Sequence, residues 1–152
     1  MKATITSVLP ASADQVWALV RQSRTLVFIT RGLLRFGGVE QFPAEWQPGA
    51  TVQTRLFFFG VLPAWRHSLT VEWVDFDKRV AVTQERGGLI KVWNHRISAQ
   101  PVSTSACQYT DEIDIQAGLF TPCVWLFAQI FYRYRHWRWR QWLKLNAISE
   151  SC

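Results

Sequence analysis

The sequence predicts an α+β fold in which a curved antiparallel sheet of seven strands wraps around a long C-terminal helix. Three observations lead to this prediction. Two alternating runs, residues 91–99 and 106–116, are joined by a Pro/Ser/Thr turn and predict a β-hairpin. An aromatic segment then runs from Thr121 to Leu145 and predicts the terminal helix. Because short connections link the strands into a meander, only this helix is long enough to cover the apolar face of the sheet.

The beginning of the chain predicts one strand followed by one or two short helices. Residues Lys2–Val8 alternate between polar and apolar types, as a half-buried strand does. Ser12 and Gln15 match a capping box, in which the serine hydroxyl accepts a hydrogen bond from the Gln15 N–H while the Gln15 side chain reaches back. We therefore expect a helix directly after Ser12, and a weaker helical segment at Leu26–Thr30.

Six further strands, bounded by Gly, Pro and other turn residues, are predicted before the terminal helix. They are Leu34–Phe42, Thr51–Phe59, Ala64–Val74, Arg79–Glu85, Lys91–Ala99 and Ala106–Gln116. The alternation is clearest in the third of these. It places on one face Trp65, His67, Leu69, Val71 and Trp73.

The terminal helix has favourable start chemistry. Thr121 can cap it, and Pro122 suits the first helical position because its missing N–H would have no helical partner there. The first half is apolar almost all round, which predicts burial on more than one side. Four aromatic or apolar residues recur at helical spacing and are expected to face the sheet: Phe127, Ile130, Phe131 and Tyr134.

Length and composition predict one folded domain. The chain has 152 residues, of which 49% are hydrophobic, so it can bury a sizeable core. We assign residues 1–147 to a single domain and residues 148–152 to a short tail. No internal repeat, low-complexity tract or linker divides the chain.

The net charge of +6 is concentrated on the terminal helix. Its basic residues are Arg133, Arg135, Arg138, Arg140 and Lys144. In the segment Arg133–Lys144 these basic residues are interleaved with tryptophans. The segment is either a contact for an anionic membrane or a solvated helix end whose arginine stems cover apolar surface. We favour the solvated helix end. Nucleic-acid binding is disfavoured, because the basic residues are confined to one helix end and no known binding motif is present.

The cysteines and the N-terminus predict a cytosolic protein. Cys107, Cys123 and Cys152 are odd in number and widely spaced. This argues against a disulfide framework or a structural zinc site and fits a reducing compartment. The first residues lack the apolar stretch of a signal peptide, and the uncharged run Ala117–Tyr132 is too short to span a bilayer.

Several short motifs, in this order, resemble the START-like superfamily, which includes Bet v 1, polyketide cyclases and lipid-transfer domains. They are Ala13–Trp17 (ADQVW), Trp46–Gly49 (WQPG), Gly60–Pro63 (GVLP), Trp93–His95 (WNH), Tyr109–Ile113 (YTDEI) and Phe131–Arg135 (FYRYR), the last similar to small bacterial members. The resemblance implies a helix-grip fold with a cavity between the concave sheet and the terminal helix, which usually holds a hydrophobic ligand. It does not imply one activity, since this fold serves carriers, receptors, cyclases and hydrolytic enzymes.

His95 and Asp111 form the leading polar pair. Both share the parity of apolar neighbours on their strands, which predicts that they face the interior. A hairpin loop of odd length, such as Pro101–Ser105, would place them opposite each other, whereas an even loop would pair His95 with Thr110 and separate the two faces. In the odd register the carboxylate would raise the basicity of the imidazole, as a general base requires. We favour a buried pair that satisfies its own hydrogen bonds over catalysis.

Aromatic residues on the inward faces either line a ligand pocket or fill a plain core, and the sequence leaves both open. Phe57 and Trp73 are among these candidates. His67 is expected to be an interior histidine, because two histidines without a matched carboxylate are weak evidence for a metal site. No metal and no cofactor are predicted. The candidate ligand-binding residues are Phe58, Trp65, His67, Trp93, His95, Tyr109, Asp111, Ile113, Phe127, Phe131 and Tyr134.

Three functions remain open. The favoured one is binding or transport of a small hydrophobic molecule, such as a lipid, a quinone or a polyketide-like aromatic, without catalysis. The second is an enzyme of the cyclase or dehydratase kind, with His95 as base and Asp111 orienting it; this requires both side chains to reach open cavity volume. The third is a peripheral-membrane or protein-interaction module that uses the terminal helix.

Overall fold

The computed structural model describes residues 1–150, and the side chains of residues 1–146. Its seven strands form one antiparallel sheet that curves around a long C-terminal helix, so the predicted fold class is confirmed. Cys152 and the end of the tail predicted at 148–152 lie outside the described residues. The elements are β1 (Lys2–Leu9), α1 (Ala13–Val20), α2 (Ser23–Thr30), β2 (Leu34–Phe36), β3 (Thr51–Phe58), β4 (Leu62–Asp75), β5 (Val80–Gly87), β6 (Ile90–Ser103), β7 (Ala106–Gln116) and α3 (Thr121–Glu150), with 3-10 turns at Val39–Gln41 and Gly118–Phe120.

The strand order places the first strand beside the last strand. The sheet runs β1-β7-β6-β5-β4-β3-β2, so every neighbouring pair except β1 and β7 is consecutive in sequence. The predicted capping box starts α1: the Ser12 hydroxyl accepts from the Gln15 N–H, and the Gln15 side chain accepts from the Ser12 N–H. Helix α3 packs against β1, β7 and α2. It therefore closes the concave face of the sheet.

The β6–β7 hairpin decides between the odd and even loops that the sequence left open. Its turn has two residues, Thr104 and Ser105. A β-bulge at Val102 adds one unpaired residue to β6 and shifts the register. The even turn and the bulge together preserve the inward parity that an odd loop would have produced.

The bulge also changes which residues lie opposite each other. His95 pairs with Ile113, and Asp111 pairs with Ile97. Neither of the two pairings considered from the sequence forms, since His95 lies opposite neither Asp111 nor Thr110. The two side chains share a face as diagonal neighbours, a spacing that long side chains can bridge.

Strand β2 is shorter than predicted. It ends at Phe36 rather than at Phe42. The chain turns away at Gly38, whose φ of +68° lies in the left-handed region that glycine adopts without strain. The Thr54 hydroxyl donates to the Gly37 carbonyl at 2.7 Å and holds this turn against β3.

The second and third helices are longer than predicted. Helix α2 begins at Ser23 rather than Leu26, and the side chain of its preceding residue, Gln22, makes no capping hydrogen bond that would mark the start. Helix α3 continues beyond Leu145 to Glu150. Within residues 1–150, none of the helices combines the length and apolar character needed to cross a bilayer.

Two aromatic residues that were candidates for the inward face lie elsewhere. A bulge in β4 at Glu72 changes the alternation, so Trp73 is 44% exposed instead of continuing the inward face. Phe57 has the outward parity of Arg55 on β3, and its ring stacks beneath Arg35 at 4.0 Å. The position of Trp73 depends on one extra residue, which an alternating pattern does not reveal.

Apolar packing under α3 divides into two clusters. The first joins Phe131 and Tyr132 to the sheet at Ile113. The second joins Trp139 and Leu143 to the end of β1 and to α1. The interior between and beside these clusters holds the site described next.

Candidate ligand cavity and buried polar network

A cavity of about 370 Å³ lies between the concave sheet and the first half of α3. Its wall is mostly apolar, and one imidazole, one carboxylate and one guanidinium contribute to it, from His67, Glu85 and Arg135. The remaining lining residues are Leu26, Thr30, Leu34, Phe36, Leu56, Phe58, Trp65, Leu69, Leu89, Ile90, Trp93, Phe120, Cys123, Val124, Phe127, Phe131 and Tyr132. Leu89, Phe120 and Cys123 are also exposed, so they mark its opening to solvent.

Six of the sequence-predicted residues line this cavity: Phe58, Trp65, His67, Trp93, Phe127 and Phe131. Their rings brace one another. Phe58 packs edge-on against Trp65 and Phe127, with ring centroids 5.6 and 5.7 Å apart, and Phe127 stacks on Phe131. This arrangement orders the aromatic wall without filling the space it encloses.

Four of the predicted residues lie deeper in the interior. His95 and Tyr109 border a separate pocket of about 60 Å³. Asp111 and Ile113 line neither space; Asp111 is fully buried and Ile113 belongs to the first apolar cluster. The polar pair predicted from the hairpin is therefore sealed away from the larger cavity.

Tyr134 and Ile130 do not face the sheet as predicted. Ile130 is 58% exposed. The Tyr134 hydroxyl donates to the Arg31 carbonyl at 2.6 Å, and its ring packs near Trp137. The face of α3 that meets the sheet instead passes through Ala128, Tyr132 and Arg135, so the predicted face was displaced around the helix axis.

Asp111 is the centre of a buried hydrogen-bond network. One carboxylate oxygen lies 2.8 Å from His95 Nε2 and 3.2 Å from the Tyr109 hydroxyl, which donates to it. The other lies 3.1 Å from His136 Nε2, and His136 Nδ1 lies 2.8 Å from the Ser7 hydroxyl. Elements β1, β6, β7 and α3 thus meet at one carboxylate.

The charges around Asp111 stabilise its ionised form. Burial alone would raise the pKa of its carboxyl, but Arg135, His95 and His136 hold that pKa well below its usual range. Burial would likewise lower the pKa of His95, yet Asp111 and Glu85 raise it. The network therefore favours an ionised carboxylate beside a protonated His95.

Glu85 forms a second carboxylate–histidine contact between this network and the cavity. His67 Nε2 lies 2.8 Å from one oxygen of Glu85, while the Thr83 hydroxyl donates to the other at 3.4 Å. Glu85 Oε1 is also 3.9 Å from His95 Nδ1. Burial would raise the pKa of Glu85, but hydrogen bonds from His67 and His95 lower it. The two buried carboxylates, of Asp111 and Glu85, thus each contact at least one histidine.

Arg135 lies between the two spaces. It is 4% exposed and, like Glu85, lines both the cavity and the small pocket. Its guanidinium lies 4.8 Å from the Tyr132 ring. Burial would lower the pKa of Arg135, but Asp111 and nearby groups raise it, so the guanidinium stays charged.

Sequence reasoning missed Glu85, Arg135 and His136. In the structure all three histidines of the chain are buried beside a carboxylate, a relation that the sequence alone does not show. Arg135 and His136 also follow Phe131 and Tyr132 by one helical turn, a spacing that puts them on the same face. Arg135 was instead counted with the solvated basic end of the helix, and His136 was given no role.

The other candidate features have local structural roles. Among the described residues, no group of three or more His, Cys, Asp or Glu side chains has an arrangement suited to a metal ion. In the basic helix end, Trp139 is 1% exposed and Trp142 donates to the Thr25 hydroxyl. Arg138 stacks over Phe28 at 4.1 Å. Much of that segment is therefore engaged in packing.

Comparison with known proteins agrees with this architecture. A family model described as a domain of unknown function, DUF8410, matches residues 7–143. A comparison with curated proteins gave no match.

Solved structures with a similar fold come from several sources. A START superfamily protein from Mycobacterium smegmatis is 13% identical with a TM-score of 0.68, over 95% of this chain and 97% of that one. Norcoclaurine synthase from Thalictrum flavum, solved with dopamine and hydroxybenzaldehyde, is 14% identical with a TM-score of 0.64, over 94% and 86%. The di-domain ARO/CYC protein BexL is 14% identical with a TM-score of 0.66, over 95% and 47%. The predicted START-like fold is confirmed.

Proposed function

The chain belongs to the DUF8410 family and has the START-like fold, and on this premise we propose that it binds a small apolar molecule without catalysing a reaction. The ligand classes we favour are lipids, quinones and polyketide-like aromatics. The observation that supports the proposal is the cavity of about 370 Å³ with its apolar wall. Pockets that bind small molecules typically have volumes of about 300–1,000 Å³ and are lined in this way.

The similar structures support the same class of function. START-like proteins generally bind hydrophobic ligands. Norcoclaurine synthase was solved with two small aromatic molecules, and BexL is an ARO/CYC protein. We assign binding to a single domain of residues 1–147 acting in the cytosol, and the free thiols of Cys107 and Cys123 fit a reducing compartment.

A fluorescence titration with the neutral apolar probe N-phenylnaphthylamine tests this proposal. The wild-type protein should bind the probe and enhance its emission. Val124→Trp places a larger side chain in the cavity wall and should weaken binding roughly tenfold or more, because overpacking a filled site costs about 1–3 kcal/mol.

Val102→Trp is the matched control, since Val102 is 59% exposed on the β6–β7 hairpin. It should bind the probe like the wild type. Circular dichroism would establish that both variants fold. A wild type that does not bind the probe, or equal binding by the two variants, would contradict the proposal.

The alternative enzymatic function meets a geometric obstacle. It needs His95 and Asp111 to reach open cavity volume, but their exposed fractions are 2% and 0%. Every nitrogen of His95 faces a carboxylate, and both oxygens of Asp111 are hydrogen-bonded. These contacts favour a role in holding β6, β7 and α3 together over proton transfer to a bound substrate.

Contact with an anionic membrane is a second candidate function. Exposed apolar side chains lie at the cavity opening, Leu89 and Phe120, and close to Phe120 along the chain, Leu119, Leu126 and Ile130. Such a patch is unusual on a protein surface that meets only water. The net charge of +6 would add attraction to anionic lipid. We therefore propose this apolar patch as the membrane contact, in place of the segment Arg133–Lys144.

Co-sedimentation with phosphatidylserine vesicles separates the two surfaces. Leu126→Asp should abolish binding, whereas Arg138→Glu with Arg140→Glu should weaken it only in part. If the paired arginine variant abolishes binding and Leu126→Asp does not, the basic helix end is the contact. Wild-type protein that stays in the supernatant would remove membrane contact altogether.

A further inference from the structure

Arg135 is buried in the cavity wall without a hydrogen-bond partner among the described residues. Its Nε is buried and unpaired, and no described carboxylate forms an ion pair with it. A guanidinium has five N–H donors and no acceptor. Since buried polar groups are almost always hydrogen-bonded, these donors require a partner that the described part of the chain does not supply.

The surrounding rings position the guanidinium without using those donors. Its central carbon lies 4.8 Å from the Tyr132 ring and 5.8 Å from the Phe131 ring. A cation–π contact uses the face of the aromatic ring and leaves the N–H groups free to bind an acceptor. Among the described residues that line the cavity, Arg135 is the sole Lys or Arg.

The nearby carboxylates are already engaged by other donors. Asp111 accepts from the Tyr109 hydroxyl and contacts His95 and His136 through both oxygens. Glu85 contacts His67. Histidines therefore make the direct contacts with the two carboxylates. Arg135 is near enough to Asp111 and Glu85 to interact electrostatically, but it forms no hydrogen bond or ion pair with either of them.

We propose that the ligand of this cavity carries a carboxylate and that Arg135 binds it. The planar guanidinium can donate two parallel hydrogen bonds to the two carboxylate oxygens, which gives both affinity and orientation. The wall beyond Arg135 is apolar, so the rest of the ligand is an aliphatic or aromatic body. The chemical class is thus an apolar carboxylic acid. This inference rests on the proposed function and names the ligand class for the same site.

Two other unpaired nitrogens belong to the same wall. Trp65 Nε1 and His67 Nδ1 are buried without partners, and both residues line the cavity. The indole nitrogen is a donor only. Both nitrogens are covered by protein atoms, so they are not part of the cavity surface that a ligand meets.

Competition against bound N-phenylnaphthylamine tests the inference with three probes of equal chain length: dodecanoic acid, its methyl ester and dodecanol. Wild-type protein should bind the acid roughly 10- to 100-fold more tightly than the alcohol or the ester, as a charge-assisted hydrogen bond predicts. In Arg135→Met the acid-to-alcohol ratio should fall by a similar factor. Arg135→Lys, which keeps the charge but loses the planar pair of donors, should give an intermediate ratio.

Arg133→Met is the control, because it removes one charge from the same helix at an exposed position. Its acid-to-alcohol ratio should match that of the wild type. If the wild type binds the fluorescent probe but does not prefer the acid, the inference fails while the proposed function stands, and this holds even if Arg135→Met does not fold. If the wild type does not bind the probe, the proposed function itself fails.

Discussion

The interior beneath α3 contains an open apolar cavity beside the first half of the helix and a closed polar network beside its middle. In the cavity, aromatic rings support one another around unfilled space. In the network, Asp111 is fully buried and all of its contacts come from the protein itself. Arg135 and Glu85 line the boundary between the two regions.

The difference between these regions separates structural from ligand-binding roles. His95, His136 and Asp111 satisfy one another, so the network has little capacity left for a ligand. The cavity has the opposite character, with open volume and with unpaired polar atoms on Arg135 and His67. Buried titratable groups are often taken as a sign of catalysis, but in this molecule the open volume with an apolar wall indicates the binding site better.

Removing the centre of the network should produce the largest effect. Asp111→Ala leaves His95, His136 and the Tyr109 hydroxyl without their acceptor. We expect the free energy of unfolding to fall by about 3–5 kcal/mol, the usual result of breaking a buried ion pair. Urea denaturation followed by circular dichroism measures the change.

The control for that prediction is Asp114→Ala on the same strand, where the carboxylate is 38% exposed and 3.7 Å from the N-terminal amine. It should change the free energy of unfolding by less than about 1 kcal/mol. Similar costs for the two aspartates would mean that the buried network does not stabilise the fold.

The pH dependence of stability should identify the protonated histidine in the network. The pKa of His95 is raised in the folded protein, so its contribution is present below its unfolded pKa of about 6.5 and is lost as the pH rises. Between about pH 6.5 and 8 the free energy of unfolding should fall by up to about 1.4 kcal/mol per pH unit.

The lowered pKa values of Asp111 and Glu85 act in the other direction. Their contributions are present above the unfolded carboxyl pKa and are lost only in strong acid, outside this window. In His95→Gln the slope between pH 6.5 and 8 should therefore be flatter than in the wild type. A wild-type profile that is already flat would show that His95 is neutral.

A pair of identical substitutions compares the packing of the two regions. Leu9→Ala removes a fully buried side chain in the second apolar cluster and should cost about 3–5 kcal/mol. Leu56→Ala removes a side chain that borders the cavity, where fewer atoms surround it, and should cost about 1–2 kcal/mol less. Urea denaturation of both variants gives the difference. Equal costs would indicate that the cavity is closed by packing in solution.

The sequence was sufficient for features that depend on neighbouring residues. The capping box of Ser12 and Gln15 forms as predicted because its atoms lie within one helical turn. The inward parity of His95 and Asp111 is also right. Their register could not be predicted, since it depends on a bulge at Val102, a single residue that does not alter the visible alternation.

Features that are formed by several helices and strands together were harder to predict from the sequence. Helical spacing identified a buried face of α3 but placed Ile130 and Tyr134 on it instead of Tyr132 and Arg135. In the sequence, Arg135 cannot be distinguished from the solvated basic residues of the same helix. Its burial follows only from the packing of the helix against the sheet. The cavity volume depends on side chains from most of the strands and two of the helices, so no local pattern predicts whether the interior is open or filled.

Native mass spectrometry of the protein purified from cells tests ligand binding most directly. The account predicts a wild-type mass that exceeds the sequence mass by that of an apolar carboxylic acid, with the increment lost on denaturation and absent from Val124→Trp prepared in parallel. A wild type that shows only the sequence mass, even after incubation with dodecanoic acid, would contradict the account.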